Sequence, residues 1–264
     1  MKKFWNFVKN EVGDGELTLY GEISDVSWWG DEITPAQFKK DLDDLGDISN
    51  LNIYINSPGG DVFAGQTIYS MLKRSKAHKT VYIDGLAASI ASIVAMAGDE
   101  VVMPKNAMMM IHNAWTIASG NKEDLRNMAD TLEKIDGVLA DVYVEKSGRS
   151  LEEVQDMMNA ETWMTADEAF EFGLVDRVND EMKVAASLDK KFLNKYHNVP
   201  ESVEVTEDIT FYAENVAVET VTVPYNGEAT QPVEEYITPP AEENWSDSQR
   251  RDFDRIKRKL LGKE

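Results

Sequence analysis

Between residues 16 and 178, short runs in which apolar and polar positions alternate are interleaved with longer runs whose apolar positions recur every third or fourth residue. Alternation lays one face of a strand against a core, and the three-to-four spacing does the same for one face of a helix. Residues 16–24 therefore predict a strand around Leu17, Leu19 and Ile23. Residues 34–45 predict a helix with Phe38 and Leu42 on one face, Thr34 and Pro35 supplying its cap and first turn. A strand over 51–55 and a helix over 62–72 follow, separated by Asn56-Ser57-Pro58-Gly59-Gly60. Next come a strand over 80–83, a helix of small residues over 87–97 closed by Gly98, and strands over 100–103 and 108–111. Leu125, Met128, Leu132, Ile135, Leu139 and Val142 trace a long amphipathic helix, and the helical pattern continues over 151–158. A helix over 166–172 and a strand over 174–178 complete the set. Strands separated by helices of this length predict an α/β architecture with parallel pairing.

Further along, the chain changes character. Residues 201–247 hold twelve acidic side chains and no Lys or Arg, and five of the eight prolines fall between Pro200 and Pro240. Such a stretch buries little apolar surface and predicts an extended, mostly disordered acidic linker, with room for a short strand pair over 209–223. Residues 250–264 reverse the sign, with seven basic and three acidic residues. Phe253, Ile256 and Leu260 recur there at helical spacing, which predicts a small basic amphipathic helix, either a docking tag or a solvated tail. The expected organisation is a domain over 1–185, a linker over 186–249 and a terminal helix over 250–264.

Composition narrows the function classes. A hydrophobic share of 42% suffices for a packed core, while 48 Asp and Glu against 27 Lys and Arg give a formal charge of −21. An acidic surface repels phosphate backbones, which argues against nucleic-acid binding. The chain has no cysteine, which excludes a thiol nucleophile, disulfides and a zinc ribbon and is compatible with a reducing compartment. The opening Met1-Lys2-Lys3 is like a signal peptide only in its charge, since Asn6 and Lys9 interrupt the apolar stretch and no small-residue cleavage site follows. No run of about 18 apolar residues is present, so no membrane span is expected and the chain reads as cytoplasmic.

Three segments carry candidate chemistry. Of three histidines, His78 lies in a polar connector and His197 beside the linker, where both are expected to be solvated and silent. His112 ends the apolar strand Met108-Met109-Met110-Ile111 and is either a structural histidine or a base. Ser89 stands where a strand turns through Gly85-Leu86-Ala87-Ala88 into a helix of small residues. A serine there either caps the helix or presents its hydroxyl beside free N–H groups able to hold an oxyanion; Ser92, one turn on, reads as packing. The Gly59-Gly60 pair lets the main chain present N–H groups to a ligand. Alone it fits an ordinary tight turn or a phosphate cradle, although the Gly-Lys-Ser/Thr of a Walker motif is missing.

Taken together, Asn56-Ser57-Pro58-Gly59-Gly60, Gly85-Leu86-Ala87-Ala88-Ser89 and Met110-Ile111-His112 resemble the Clp proteolytic-subunit family. The likeness runs from about Leu19 to Val178 and includes Ala64-Gly65, Ile68-Tyr69, Met164-Thr165-Ala166-Asp167-Glu168-Ala169 and Phe172-Gly173-Leu174-Val175-Asp176. It implies a ClpP/crotonase-like fold of repeated β-β-α units with a long handle helix. Carried onto matching positions, it makes Ser89 the nucleophile, His112 the base, and the main-chain N–H groups of Gly60 and Ile90 the oxyanion hole. The strand over 109–113 and the handle helix from Leu125 match segments that bind peptide and join subunits. The sequence departs at the triad acid, where Glu161 stands in place of the family's aspartate, with Asp156 as the alternative. A second departure is a shorter stretch between Ser89 and His112.

The resemblance further implies polypeptide substrates, a homo-oligomer of heptameric rings stacked as a tetradecamer, and neither cofactor nor metal. Trp28-Trp29, the Glu161-Thr162-Trp163 triplet and the acidic tail make the chain similar to phage or prophage head-maturation proteases, whose partners are capsid, scaffold or portal proteins. The alternative within the class is a housekeeping subunit under an AAA+ unfoldase; the chain has no nucleotide-binding motif, so ATP hydrolysis would come from that partner. Outside the class stand a crotonase-like acyl-CoA enzyme and an inactive assembly scaffold.

Overall fold

The computed structural model describes residues 3–24, 35–180, 188–189, 195–200 and 205–206. Trp28, Trp29, the strand pair expected over 209–223 and the basic terminal helix lie outside them. In chain order the elements around the core are β1 (Trp5–Lys9), β2 (Gly15–Tyr20), α1 (Pro35–Asp44), β3 (Asn50–Ser57), α2 (Val62–Arg74), β4 (His78–Ala88) and α3 (Ile90–Ala95). They continue with β5 (Glu100–Pro104), β6 (Met108–Ile111), α4 (Lys122–Ser147), α5 (Leu151–Asn159), β7 (Thr162–Thr165), α6 (Ala166–Phe172) and β8 (Arg177–Asn179). A separate two-stranded parallel ladder pairs β9 (Leu188–Asp189) with β10 (Val205–Thr206).

The α/β class and the parallel pairing expected from the sequence are what the structure shows. Strands β2, β3, β4, β5 and β8 run parallel in that order within one sheet, and β1 adds an antiparallel edge. Alternation along β3 and β4 places Leu51, Ile53, Ile55, Val81 and Ile83 on one face, all fully buried. Helices α2 and α3 cover that face with Ile68, Leu72, Ile93 and Val94. Burying each such side chain contributes roughly 1.5–3 kcal/mol.

Strand β4 is the long member of the sheet and serves two partners. Its first half pairs with β5 through Thr80, Val81 and Tyr82, and its second half pairs with β6 through Leu86, Ala87 and Ala88. The sheet forks along β4, and β6 carries β7 antiparallel on its outer side.

Several expectations are corrected. Ala87 and Ala88 extend β4 instead of opening a helix, because Met109 and Met110 of β6 supply them a ladder; α3 begins only at Ile90. The long helix is interrupted: Gly148 takes a left-handed conformation (φ 70°) and ends α4, and α5 restarts on its own capping box of Ser150 and Glu153. The last expected strand begins at Arg177, its forerunners Leu174 and Val175 being core residues. Four strands, β1, β7, β9 and β10, have no counterpart among the sequence expectations.

Candidate active site

Each residue of the glycine turn has a visible task. Asn56 is buried, and its side-chain oxygen accepts the N–H of Leu86 at 3.0 Å, filling the register irregularity between β3 and β4. The Ser57 hydroxyl donates to Gly21 O at 2.6 Å and accepts from Gly59 N–H at 3.2 Å. Asp61 caps α2 by accepting from Ala64 N–H at 2.7 Å. Gly59 and Gly60 have φ of 84° and 149°, and a Cβ on Gly59 would sit 2.7 Å from the Cβ of Ser89. Only glycine brings this turn so close to the serine.

Ser89 is one of two described non-glycine residues at positive φ (57°), the other being Glu161 (49°). Such a conformation is costly and persists only where surrounding contacts impose it. Here they are explicit. Ser89 N–H donates to Met110 O at 2.9 Å, tying the residue to β6, and its carbonyl accepts the Ser92 hydroxyl at 2.6 Å. Ser92 is fully buried and also meets the Tyr143 hydroxyl at 2.7 Å, so it fastens the start of α3 to α4 in addition to packing. Ser89 makes no side-chain capping bond on α3, leaving its hydroxyl available to His112. Among the described turn and cap hydrogen bonds, none uses the N–H of Gly60 or of Ile90.

The register of β4 on β6 sets the next distance. Ala88 lies opposite Met110, so the residues just beyond converge, and Ser89 Oγ and His112 Nε2 are 2.8 Å apart. Burial pushes the His112 imidazole down to about 4; Glu161 works in the opposite sense, and Lys195 and His197 reinforce the lowering. The ring is therefore neutral at pH 7 and able to accept a proton. The pair opens onto a cleft of about 420 Å³ lined also by Gly60, Val62, Trp115 and Lys195.

The β6–β7 register, with Ile111 opposite Thr162, carries Glu161 to the level of His112. Glu161 forms no hydrogen bond or ion pair with His112, however. Its Oε1 accepts the N–H groups of His197 and Asn198, each at 2.7 Å, and its Oε2 lies 3.2 Å from His197 Nδ1. Burial opposes ionisation of Glu161, but the N–H groups of Asn198 and His197 outweigh it and hold the carboxyl below its ordinary range. Asp156, the alternative acid, lines a different groove on α5 with Arg149 and Trp163.

Residues 195–200, expected to belong to the linker, pack onto the site. Tyr196 is 8% exposed and inserts among Leu86, Ala88 and Met110. Its ring meets the rings of His112 and Trp163 edge-on at 5.3 and 5.8 Å, and its hydroxyl donates to Pro58 O. His197, expected to be silent, has an exposed ring but commits its N–H to Glu161. The only hint in the sequence is a lone tyrosine in a polar run.

Comparisons with known proteins agree on one relationship. The Clp protease family model matches residues 40–182. A protein of Deinococcus radiodurans named ATP-dependent Clp protease proteolytic subunit is 32% identical over 145 residues, which are 54% of this chain and 71% of that protein. One of the same name from Bacteroides fragilis is 34% identical over 140 residues, 52% of this chain and 67% of that protein.

Proposed function

Since the chain belongs to the Clp protease family, a family of peptidases, we propose that it is a serine endopeptidase with Ser89 as nucleophile and His112 as general base. The observation that carries this reading is the 2.8 Å contact between Ser89 Oγ and His112 Nε2 at the floor of an open cleft. His112 takes the hydroxyl proton as Ser89 attacks the scissile carbonyl, then protonates the leaving amine. The N–H groups of Gly60 and Ile90 receive the oxyanion, and Glu161 stabilises the imidazolium. Water then hydrolyses the acyl-enzyme by the same proton path in reverse.

Labelling by a fluorophosphonate probe at Ser89, with cleavage of casein or a small peptide lost by several orders of magnitude in Ser89→Ala and in His112→Ala, is the expected result. Absence of labelling favours the crotonase-like alternative, and labelling without turnover the inactive scaffold. Among the described residues, no helix is long and apolar enough to cross a membrane.

The biological setting we propose is a ring oligomer, of heptameric rings in pairs, that processes capsid or scaffold precursors during phage head assembly. Supporting it are glutamate at the acid position, the Glu161-Thr162-Trp163 triplet and the acidic stretch over 201–247. The names of the relatives favour the housekeeping role beneath an unfolding ATPase to the same degree. Cleavage of a purified scaffold precursor without ATP or any added unfoldase supports the first setting; cleavage only with an ATPase supports the second.

A further inference from the structure

Three contacts of residues 195–200 converge on the groups that would do the chemistry. Tyr196 wedges its ring against His112 and sends its hydroxyl to Pro58 O, in the same turn as Gly59 and Gly60. His197 and Asn198 aim consecutive main-chain N–H groups at one oxygen of Glu161, and the Asn198 side chain adds a bond to Ala160 O at 3.0 Å. Lys195 sits on the rim of the cleft, 3.5 Å from Glu22. Both oxygens of Glu161 thus meet groups other than His112. Among the described residues nothing accepts a hydrogen bond from His112 Nδ1.

We propose that residues 195–200 form an intramolecular latch that holds the Glu161 carboxylate away from His112, so that full activity requires this segment to lift and hand the carboxylate to Nδ1. The proposal rests on Glu161 being the triad acid. Two competing partners exist for one carboxylate: the N–H pair of the latch, which bonds it directly, and the imidazole of His112, which the β6–β7 register brings to the level of Glu161. In the latched form the site is a Ser–His pair with an unoriented ring, and orientation by an acid is worth up to roughly 10⁴ in rate in other triads. Tyr196 supplies the apolar anchor that keeps the latch down, because lifting it exposes a ring now buried against Leu86, Ala88 and Met110.

The test uses the full-length chain. Asn198→Pro deletes one of the two N–H donors, and Tyr196→Ala removes the anchor without restricting the backbone; each should shift the latch equilibrium about tenfold toward the open form. The expected result is a rise of about that size in kcat/KM on a short fluorogenic peptide and in the rate of fluorophosphonate labelling at Ser89. The acid limb of the pH profile should move upward as His112 gains Glu161 as a direct partner. The charged and titratable groups facing His112 are Glu161, Lys195, His197 and the Tyr196 phenol; only Glu161 changes partner when the latch lifts, so the same shift should vanish in a Glu161→Gln background. Unchanged or reduced activity in both variants, with Ser89 still labelled, overturns the latch and leaves the peptidase reading intact. Failure of the wild type and both variants to label at all removes the peptidase reading, and the latch with it.

Discussion

Replacing Gly60 by alanine probes the role of its main-chain N–H. A Cβ placed there falls 1.9 Å from the carbonyl oxygen of Ile23, 2.8 Å from its carbon and 2.9 Å from its nitrogen. These are main-chain atoms pinned on both sides. Ile23 N–H donates to Gly59 O at 2.8 Å, and Ile23 O accepts from Asp61 N–H at 2.7 Å. Ile23 cannot retreat without breaking both, so residue 60 must rotate and take its N–H with it. The φ of 149° adds strain for any L side chain. Strain and overpacking each cost about 1–3 kcal/mol, so a loss of ~2–6 kcal/mol in unfolding free energy is expected from urea titration. If the N–H is one of two oxyanion donors, kcat on a fluorogenic peptide falls ~10²–10³-fold at a temperature where the variant is folded. Gly13→Ala provides the control, because Gly13 has φ 90° but open space around it; it should lose about 1 kcal/mol of stability and no activity. A folded Gly60→Ala enzyme with kcat within about twofold of wild type would refute the oxyanion role and the reasoning behind it.

Ser92→Ala leaves the Tyr143 hydroxyl buried without its partner and should cost about 1–3 kcal/mol by denaturant titration; a neutral result would mean the residue only fills space. Folded His112 titrates near 4 rather than at its ordinary 6.5. Between those values the unfolded chain binds the extra proton, so stability is fully present above pH 6.5 and declines by about 3 kcal/mol as pH falls to 4. His112→Gln should flatten that part of the stability profile, and an unchanged slope would contradict the lowered value. Gly137 lies inside α4, and a Cβ added there would meet nothing within 4 Å. Its change to alanine should therefore gain about 0.5–1 kcal/mol, read as a higher melting temperature.

Much of this was legible in the sequence, and the exceptions have physical causes. Regular periodicity gave α1, α2, α4 and β3 near their observed bounds, because each buries part of one face against the same core, α4 only through Leu139, Ala140 and Tyr143 in its second half while Leu125 and Met128 stay exposed. Ala87 and Ala88 misled because small side chains carry no period of their own; what makes them strand is the ladder to Met109 and Met110, which lies far along the chain. β7, four residues long, is defined almost wholly by its partner β6. The cleft that Ser89, His112 and Gly60 share was signalled by glycine, small residues and a histidine at a strand end. Tyr196 and the N–H groups of His197 and Asn198 could not be, since main-chain donors have no signature in sequence.

The fork along β4 has a bearing on how this site tolerates change. The separation of Ser89 and His112 is set by a cross-strand ladder of three residue pairs, not by the contour length of the segment joining them. A change of length in that segment can thus leave the contact of Ser89 with His112 unaltered, provided the ladder keeps its parity. A slip of one residue between β4 and β6, by contrast, would turn the imidazole to the opposite side of the sheet.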